Sequence, residues 1–340
     1  MRSYCLRGME AERMTQNRVS AVLTTYQRAE LAKRALHSIL GQTLTPAEII
    51  VVEDAGHTDL AGWISALGRN EIKYVRHESN QGLAAARNTG LRVAQSELIA
   101  YLDDDDEWLP TRLEEQVDRY LSLSPDQRRT LAAIQVGCKI VNSQGRQVGL
   151  NLPLNQGNLR DSIIRQGAAT PSSCFMFVRS ALLKVNGFDE DLISGIDHDI
   201  WMKLAVAGYS NEIVKKPLVV ITGDDRRTMM SDTKRRVAGI AQYVDKWTPT
   251  YKEWFGGEAG EIYARKYFLN VICCLAGQKF AQRRFRDGFF ASNAAFQRAR
   301  WRPDLLLLGT VRLLQTFLSS ALHQLRVAKT RLSSSAGRIE

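Results

Sequence analysis

The chain contains little cysteine. Its 340 residues include five cysteines, and none of them is part of a C-x-x-C pair. The odd number argues against a framework of disulfides, and the missing C-x-x-C spacing argues against a zinc site. The sequence therefore favours a reducing compartment, and we expect a cytoplasmic protein.

Long apolar segments are also lacking. No run of about 18 uninterrupted apolar residues, the length that a membrane-spanning helix needs, occurs in the chain. Residues 1–17 carry five charged side chains where a secretory signal would have its apolar core. We therefore expect neither a conventional membrane-spanning helix nor a secretory signal.

Positive charge is in excess and unevenly distributed. The formal net charge is +10, and between residues 279 and 302 seven basic residues stand against a single acid, Asp287. Such an excess predicts an anionic partner, but it does not choose among nucleic acid, a membrane surface and a phosphorylated substrate.

Residues 18–102 alternate short β-branched or aliphatic runs with amphipathic segments, which is the pattern of βαβ units in a parallel sheet. The predicted strands are residues 19–24, 49–53, 72–76 and 98–102, and the predicted helices are residues 30–40, 60–67 and 83–94. Further on, we expect a helix from about residue 110 and strands at residues 131–141, 173–178, 213–214 and 218–222. Because the pattern is mostly helical after residue 232, the predicted organisation is an N-terminal extension (1–17), an α/β domain (18–230) and a helical C-terminal region (231–340).

An acidic tetrad is the most informative feature for chemistry. Asp103, Asp104, Asp105 and Asp106 directly follow the apolar run 98–102. Two carboxylates ~4 Å apart repel by ~4 kcal/mol at an effective dielectric constant of ~20, so the cluster needs compensation. A divalent metal ion is the simplest compensation, and a solvated acidic turn that caps the next helix is the alternative.

Two further polar clusters follow predicted strands. Thr24, Thr25 and Tyr26 follow the first strand, and Glu53 and Asp54 follow the second. Since ligands of parallel α/β sheets bind outside the carboxyl ends of the strands, we expect these clusters and the tetrad at one edge. Gly82 opens the predicted helix 83–94, whose N-terminus is either an anion site or a simply capped helix end.

The last predicted helix, residues 304–331, has an apolar stripe. Its members recur at helical spacing: Leu307, Val311, Leu314, Leu318, Ala321 and Leu325. With basic residues upstream, such a stripe suits a helix lying in the plane of a membrane surface. It also suits a helix that packs on the rest of the protein.

Six motifs, in this order, resemble those of the family 2 glycosyltransferases, which are inverting enzymes with the GT-A fold, common in bacterial polysaccharide and lipopolysaccharide assembly. They are VLTTYQR at 22–28, EIIVVED at 48–54, NQGLAAARNTG at 80–90, YLDDDD at 101–106, GFDE at 187–190 and DHDIW at 197–201. The resemblance covers residues 18–225 and leaves out the last third. It implies an α/β fold of the GT-A type, a Rossmann-like, mostly parallel sheet flanked by helices, followed by a helical C-terminal extension.

The resemblance also implies how a nucleotide sugar is held. The expected donor-binding residues are Thr24, Tyr26, Arg28, Glu53, Asp54, Arg87, Asn88, Asp103 and Asp104. An acceptor side chain such as Asp54 suits the N3–H of uracil or thymine, which favours a UDP-sugar or a dTDP-sugar. Asp103 and Asp105, which match the D-x-D motif of the family, would bind Mn²⁺ or Mg²⁺, ions that prefer hard oxygen ligands.

Displacement at an anomeric carbon needs a base that takes a proton from the acceptor hydroxyl group. The residue that matches the base of the family is Asp197. Ile196 stands where an acid usually precedes the base, so Asp199 and Glu190 remain alternative bases. Capping of the following helix is another role for Asp197.

The expected function is that of a metal-dependent, inverting glycosyltransferase that acts on a glycan or lipid-linked acceptor in cell-surface polysaccharide biosynthesis. Peripheral contact with the inner face of the cytoplasmic membrane is one use for the basic C-terminal helices, and no nucleic-acid partner is expected. One alternative is a sugar-1-phosphate nucleotidyltransferase, which would normally have a glycine-rich basic loop after its first strand. The other is a non-enzymatic protein that binds a membrane or nucleic acid through its basic region.

Overall fold

Short strands rich in valine, isoleucine and leucine form one sheet. The computed structural model describes residues 18–56, 58–142, 144–166, 171–222, 232–300 and 302–336. Within these residues the strands are β1 (Val19–Thr25), β2 (Glu48–Glu53), β3 (Ile72–Arg76), β4 (Leu98–Asp103), β5 (Asp106–Trp108), β6 (Leu131–Val141), β7 (Gln147–Asn151), β8 (Gly157–Asn158), β9 (Phe175–Val178) and β10 (Ser210–Thr222). Every residue of β1 and β2 is buried, which is the pattern of strands covered on both faces.

Eight helices in the described residues accompany the sheet. They are α1 (Ala29–Leu40), α2 (Leu60–Ala66), α3 (Leu83–Val93), α4 (Arg112–Leu121), α5 (Pro125–Thr130), α6 (Leu159–Gln166), α7 (Arg179–Lys184) and α8 (Ile196–Val206). The strands and helices predicted within residues 18–102 are confirmed, each end lying within one residue of its predicted position.

The strand order is β3-β2-β1-β4-β9-β6-β10-β5, with β7 paired to β6 and β8 paired to β10. Strands β1 to β4 run parallel to their neighbours among themselves, whereas β9 runs antiparallel to both β4 and β6. The chain proceeds from β1 outwards to β3 and then returns to place β4 on the other side of β1. A ligand crevice is therefore expected where β1 and β4 end side by side, and there Thr24 lies opposite Asp103.

Three local predictions needed correction. The helix expected from about residue 110 begins at Arg112, because residues 106–108 form β5 and pair with β10. The strand expected at residues 173–178 is divided into a 3₁₀ turn, Ser172–Cys174, and β9. Residues 213–214 and 218–222 belong to one strand, β10, whose pairing with β6 shifts register between them.

The chain divides into two compact units. Among the described residues, the first contains residues 18–191 and 196–222, and the second contains Leu192–Gly195 and the residues from 232 onwards. The predicted extension 1–17 and the predicted boundary near residue 230 both lie outside the described residues.

The second unit is helical. Its helices are α9 (Thr233–Phe255), α10 (Gly257–Ala281), α11 (Phe285–Ala299) and α12 (Pro303–Ala336). Helices α10 and α12 approach closely at glycine, since a Cβ atom on Gly277 would lie 2.7 Å from the carbonyl oxygen of Leu313 and 2.9 Å from the backbone nitrogen of Phe317. At Gly309 of α12, a Cβ atom would lie 2.8 Å from Leu269 of α10. One face of α12 is therefore packed on α10.

One helix in the described residues is long and apolar enough to cross a membrane. Its segment Pro303–Leu322 has a mean hydropathy of 1.5 and is largely unburied. Single polar residues such as Arg312 and Gln315 interrupt every apolar run of this segment without lowering its mean hydropathy much. Length and composition do not show that the helix crosses a membrane, so the expectation that no helix does stays a prediction.

Candidate active site

The acidic tetrad forms a tight connection between two strands. Asp103 ends β4, Asp104 and Asp105 form the turn, and Asp106 begins β5. The side chains of Asp103 and Asp105 are each 26% exposed, whereas that of Asp104 is only 1% exposed. Two of the four carboxylates therefore face inward, and two are open to a ligand.

Arg28 balances the negative charge of the two carboxylates in the turn. Its guanidinium group lies 2.5 Å from Oδ1 of Asp104, and its Nη1 donates to Oδ2 of Asp105 over 3.1 Å. Thr25 also donates to Asp104, over 2.7 Å. Burial raises the pKa of Asp104 to about 6, although Arg28 and Thr25 act in the opposite direction. The residue predicted to contact the donor thus holds the turn of the tetrad in this structure.

Asp106 is held by the 3₁₀ turn of residues 172–174. Ser173 donates to Oδ2 of Asp106 over 2.5 Å and accepts from the backbone nitrogen of Asp103 over 3.2 Å. Burial, followed by the charges of Asp103 and Asp105, raises the pKa of Asp106 well above its usual value. Asp106 is therefore a structural member of the tetrad.

Arg87 joins the tetrad to the candidate base. Its Nη2 donates to Asp103 over 2.9 Å, and its Nη1 donates to Asp197 over 2.6 Å. Ser172 accepts from Arg87 over 2.5 Å and donates to Asp103 over 3.1 Å. Burial opposes the charged form of Arg87, but the carboxylates of Asp103 and Asp197 raise its pKa above the usual value. One buried guanidinium group therefore fixes two partly exposed carboxylates beside each other.

The three candidate bases differ in accessibility. The side chain of Asp197 is 38% exposed, and Asp199 is fully buried. Glu190 is about half exposed and accepts from Asn88 over 2.7 Å. Asp197 accepts a hydrogen bond from Arg87, which also bonds Asp103, so this candidate lies next to the tetrad and is open to solvent.

Asn88 ties the GFDE segment to helix α3. Its amide group donates to the carbonyl oxygen of Phe188 over 2.8 Å and to Glu190 over 2.7 Å, and it accepts from the backbone nitrogen of Phe188 over 2.9 Å. Gly187 has a φ angle of +57°, and a Cβ atom there would lie 2.4 Å from Oδ1 of Asn88. The observed partners of Asn88 are thus on the protein itself, and contact with the donor remains a prediction.

Asp54 fixes the start of helix α3. Its carboxylate accepts from the backbone nitrogens of Gln81 and Gly82 over 2.8 and 2.7 Å, and it lies 2.8 Å from Nδ1 of His77. The other ring nitrogen of His77 lies 2.9 Å from the hydroxyl group of Thr89. Because three of its acceptor positions are used, Asp54 has limited capacity left for a nucleobase.

Glu53 is buried, and its partners come from β3 and from the loop that follows β2. It accepts from Thr58 over 2.5 Å, from Arg76 over 3.0 Å and from Tyr74. Thr24 is buried at the end of β1, and Tyr26, in the loop that follows, is an exposed aromatic side chain at the expected crevice. Direct contact of these three residues with the donor stays a prediction.

Sequence reasoning missed several partners in the site. Thr25 was named as part of a cluster but not as a site residue, and Ser172, Ser173, His77 and Arg34 were not identified. Arg34 donates to the backbone oxygen of Asp105 over 2.9 Å. Ser172 and Ser173 could have been identified only if the pairing of β9 with β4 had been known. The order of the strands along the chain does not reveal that pairing.

The fit of a divalent metal ion rests on Asp103 and Asp105. No group of three or more His, Cys, Asp or Glu side chains suited to a metal ion occurs in the part of the chain that the structure describes. Mg²⁺ is usually bound through one or two carboxylates and completes its coordination with water and substrate phosphates. Two partly exposed carboxylates fit an ion that is bound together with a diphosphate, and they do not form a cage made by protein ligands alone.

Comparison with known families gives one match. Residues 20–183 match the model of the family described as Glycosyl transferase family 2. This stretch runs from β1 into α7, so it includes Asp54, Arg87 and the tetrad, and it ends before Asp197.

Curated relatives carry related names. Over 97 residues the chain is 38% identical to the putative colanic acid biosynthesis glycosyl transferase WcaA of Escherichia coli K12, a match that covers 28% of this chain and 35% of the relative. It is 26% identical over 251 residues to an uncharacterized glycosyltransferase of Rickettsia bellii, with 71% of this chain and 34% of the relative covered. Over 315 residues it is 26% identical to the pre-mycofactocin glycosyltransferase of Mycobacterium tuberculosis H37Rv, with 86% and 64% covered. The chain thus spans about a third of the length of the first two relatives.

A solved structure shows the same fold. TarS of Staphylococcus aureus, residues 1–349, crystallised in complex with UDP-GlcNAc, superposes with a TM-score of 0.59 at 17% identity, covering 91% of this chain and 92% of that chain. Identity at this level shows the fold alone. The expected fold class, an α/β sheet of the GT-A type with a helical C-terminal region, is confirmed, and the sheet is mixed because β5, β7, β8 and β9 run antiparallel to their neighbours.

Proposed function

We propose that this protein is a glycosyltransferase of polysaccharide biosynthesis, because residues 20–183 match the model of Glycosyl transferase family 2, the family that the motifs resemble. The donor is a UDP-sugar or a dTDP-sugar, and the acceptor is a hydroxyl group of a glycan or of a lipid-linked glycan. The family match favours this reading over a nucleotidyltransferase. The observation that carries the proposal is the Arg87 bridge, which places a metal-ligand candidate and a base candidate beside each other at the end of β4.

Asp197 is the base in this proposal. Its Oδ1 atom accepts from Arg87, and the side chain is still 38% exposed, so a second acceptor position is open to the acceptor hydroxyl group. The carboxylate takes the hydroxyl proton as the acceptor oxygen bonds to the anomeric carbon and the bond from that carbon to the diphosphate oxygen breaks. Attack from the face opposite the leaving group inverts the configuration of the sugar.

Asp103 and Asp105 are the proposed ligands of Mn²⁺ or Mg²⁺. When bound, the ion supplies positive charge that neutralises the departing diphosphate. Arg28, which is already bonded to Asp105, places a second positive charge at the same turn. Thr24, Tyr26 and Asp54 lie at or just after the ends of β1 and β2, and Thr24 lies opposite Asp103; the nucleoside is proposed to bind there. The proposed location is cytoplasmic, where nucleotide sugars are used.

The first test is calorimetric binding of UDP, dTDP, GDP and CDP to the whole chain with Mn²⁺, with Mg²⁺ and with chelator. We expect one pyrimidine diphosphate to bind only with metal, and Asp105→Ala to abolish that binding. Asp126→Ala, a change of an exposed aspartate elsewhere in the α/β unit, is the matched control and should bind normally. Binding that is equal with and without chelator, or unchanged in Asp105→Ala, would contradict the metal site.

The second test concerns the base. Asp197→Asn keeps the size of the side chain but cannot take the acceptor proton. We expect transfer to fall by at least about 10²-fold, the usual contribution of general base catalysis, while binding of the diphosphate and metal persists. Transfer near the normal rate in Asp197→Asn would dismiss this residue as the base.

A further inference from the structure

The helical unit exposes two groups of large apolar side chains. On α12 these are Leu307, Val311, Leu314 and Leu318 of the predicted stripe, together with Leu322; they are between 42% and 66% exposed, and from here on these five residues are called the apolar stripe. The aromatic tip of α11 consists of Phe285, Phe289 and Phe290, which are between 41% and 67% exposed. Monomeric soluble proteins seldom expose contiguous apolar patches of this kind unless the patch has a partner.

The apolar stripe and the aromatic tip both lie beside the C-terminal part of α10. The packing of Gly277 against Leu313 and Phe317 places the C-terminal part of α10 beside the second half of the stripe. Phe280, three residues further along α10, is in ring contact with Phe285 and Phe289. The two apolar groups therefore lie near each other within the helical unit.

The helical unit also carries all of the positive excess. Residues 232–340 contain 19 Lys and Arg against 8 Asp and Glu, whereas residues 1–231 contain 27 against 28. Arg283, Arg284 and Arg286, all exposed, flank the aromatic tip. Arginine beside exposed phenylalanine and leucine is the composition of segments that bind the boundary between lipid headgroups and acyl chains.

We propose that the helical unit docks on an anionic lipid bilayer, with α12 lying in the plane of the membrane surface. The apolar stripe and the aromatic tip enter the outer acyl region, and Arg283, Arg284 and Arg286, at the start of α11, meet the anionic headgroups. This proposal goes beyond sugar transfer, and it can be tested without donor or acceptor.

The packing of α12 favours the in-plane arrangement over a membrane span. Although α12 is long enough to cross a bilayer, one of its faces is already packed on α10. Lys279 of α10 follows Gly277, which packs on Leu313 and Phe317, so this charge would be brought against the apolar segment of α12 if the helix crossed the bilayer. An in-plane helix immerses only the exposed stripe and leaves this charge outside.

Charge distinguishes the bilayer from the other candidate partners. A second copy of the chain would bring an equally basic helical unit to the same surface, and the two would repel each other. Nucleic acid would match the charge but would leave the leucine stripe exposed to water. An anionic bilayer satisfies both the charge and the apolar surface.

The test is flotation of the whole protein with phosphatidylcholine vesicles and with vesicles of phosphatidylcholine and phosphatidylglycerol at a ratio of three to one. Two double variants remove apolar surface: Leu314→Gln with Leu318→Gln, and Phe285→Ser with Phe289→Ser. The matched control is Leu150→Gln with Leu154→Gln, which changes two equally exposed leucines of the α/β unit. We expect binding that requires phosphatidylglycerol, a loss of roughly tenfold or more in each test variant, and no loss in the control.

Other outcomes would overturn the proposal. Equal flotation of the wild type, both test variants and the control would show that the stripe and the tip do not contact lipid. Absence of flotation, together with a dimer mass by light scattering that the test variants reduce to that of a monomer, would assign the surface to a second copy. Absence of flotation with tight binding of a DNA duplex would assign the basic residues to nucleic acid. Unchanged melting temperatures of the variants would establish that each comparison is between folded proteins.

Discussion

Arg87 shows how far the role of a single residue can differ from what its motif suggests. The NQGLAAARNTG motif predicts a side chain that contacts the donor, but in the structure the guanidinium group is fully buried behind Asp103 and Asp197. Removing an arginine from water costs several kcal/mol, and this cost is offset only where the group is paired and hydrogen-bonded with good geometry. Both terminal nitrogens of Arg87 meet that condition, so we interpret it as a positioning residue for the two carboxylates.

Replacements of Arg87 can distinguish a role in positioning the two carboxylates from a role in the stability of the fold. Arg87→Met removes the ion pairs of two partly exposed carboxylates, and we expect the free energy of unfolding in urea to fall by about 1–3 kcal/mol. Arg87→Lys restores a positive charge but not the planar fork that reaches both partners, so part of the stability should return. Its kcat should nevertheless stay about 10²-fold below that of the wild type if Asp197 is the base, because misplacement of a catalytic group by about 1 Å can have that effect.

Arg92→Lys is the control for this prediction, because Arg92 is on the same helix and is largely exposed. It should change the unfolding free energy by less than about 0.5 kcal/mol and leave kcat unaltered. If kcat recovered in Arg87→Lys in proportion to stability, the role of Arg87 would be structural only.

At the scale of elements, Gly187 connects a turn to the site. Its left-handed backbone, with φ of +57°, suits glycine, and the amide group of Asn88 fills the space that a Cβ atom would need. Asn88 in turn holds Phe188 and Glu190 of the GFDE segment, and the ring of Phe188 lies 5.3 Å from the guanidinium of Arg87. The GFDE segment therefore connects α3 to the site through these contacts.

Gly187→Ala should test whether these contacts hold the GFDE segment in place. The left-handed conformation alone costs an alanine roughly 1 kcal/mol, and the clash with Asn88 adds to it. Gly208→Ala is the control, since Gly208 also has a positive φ, of +80°, but has nothing within 4 Å of a Cβ atom. We expect Gly187→Ala to lose roughly 1–3 kcal/mol more unfolding free energy than Gly208→Ala in urea titrations, and to lower kcat. Equal losses in the two variants would argue that Asn88 moves freely and does not hold the GFDE segment in place.

The elements of residues 18–102 could be predicted because their signals are local. Each strand is a short β-branched or aliphatic run, each helix has its own apolar face, and β1, β2 and β3 pair in chain order. The placement of β9 between β4 and β6 could not be predicted in the same way, because it depends on pairings between residues 40 to 80 positions apart, such as Gln135 with Phe175 and Leu98 with Val178. Ser172 and Ser173 were missed for that reason, and so was the bond between Arg87 and Asp197.

At the scale of the whole molecule, charge and fold divide at the same place. The α/β unit is nearly neutral by sequence, and the helical unit carries the excess. The sequence could predict this division from composition alone, because charge counts need no knowledge of contacts. It could not predict that one face of α12 is packed while the apolar stripe stays exposed, since a stripe of this kind suits either environment.

The position of the charge, and not its total, should control binding to anionic surfaces. Arg283→Gln, Arg284→Gln and Arg286→Gln together lower the net charge from +10 to +7, and the same total follows from Arg92→Gln, Arg129→Gln and Arg146→Gln in the α/β unit. Near an anionic membrane each basic residue contributes about 1 kcal/mol, and this contribution is lost beyond a Debye length of about 10 Å at 0.1 M salt. We therefore expect the first triple variant to lose flotation with phosphatidylglycerol vesicles at a lower NaCl concentration than the wild type. The second, charge-matched variant should follow the salt titration of the wild type, and coincident titrations of the two triple variants would mean that only net charge matters.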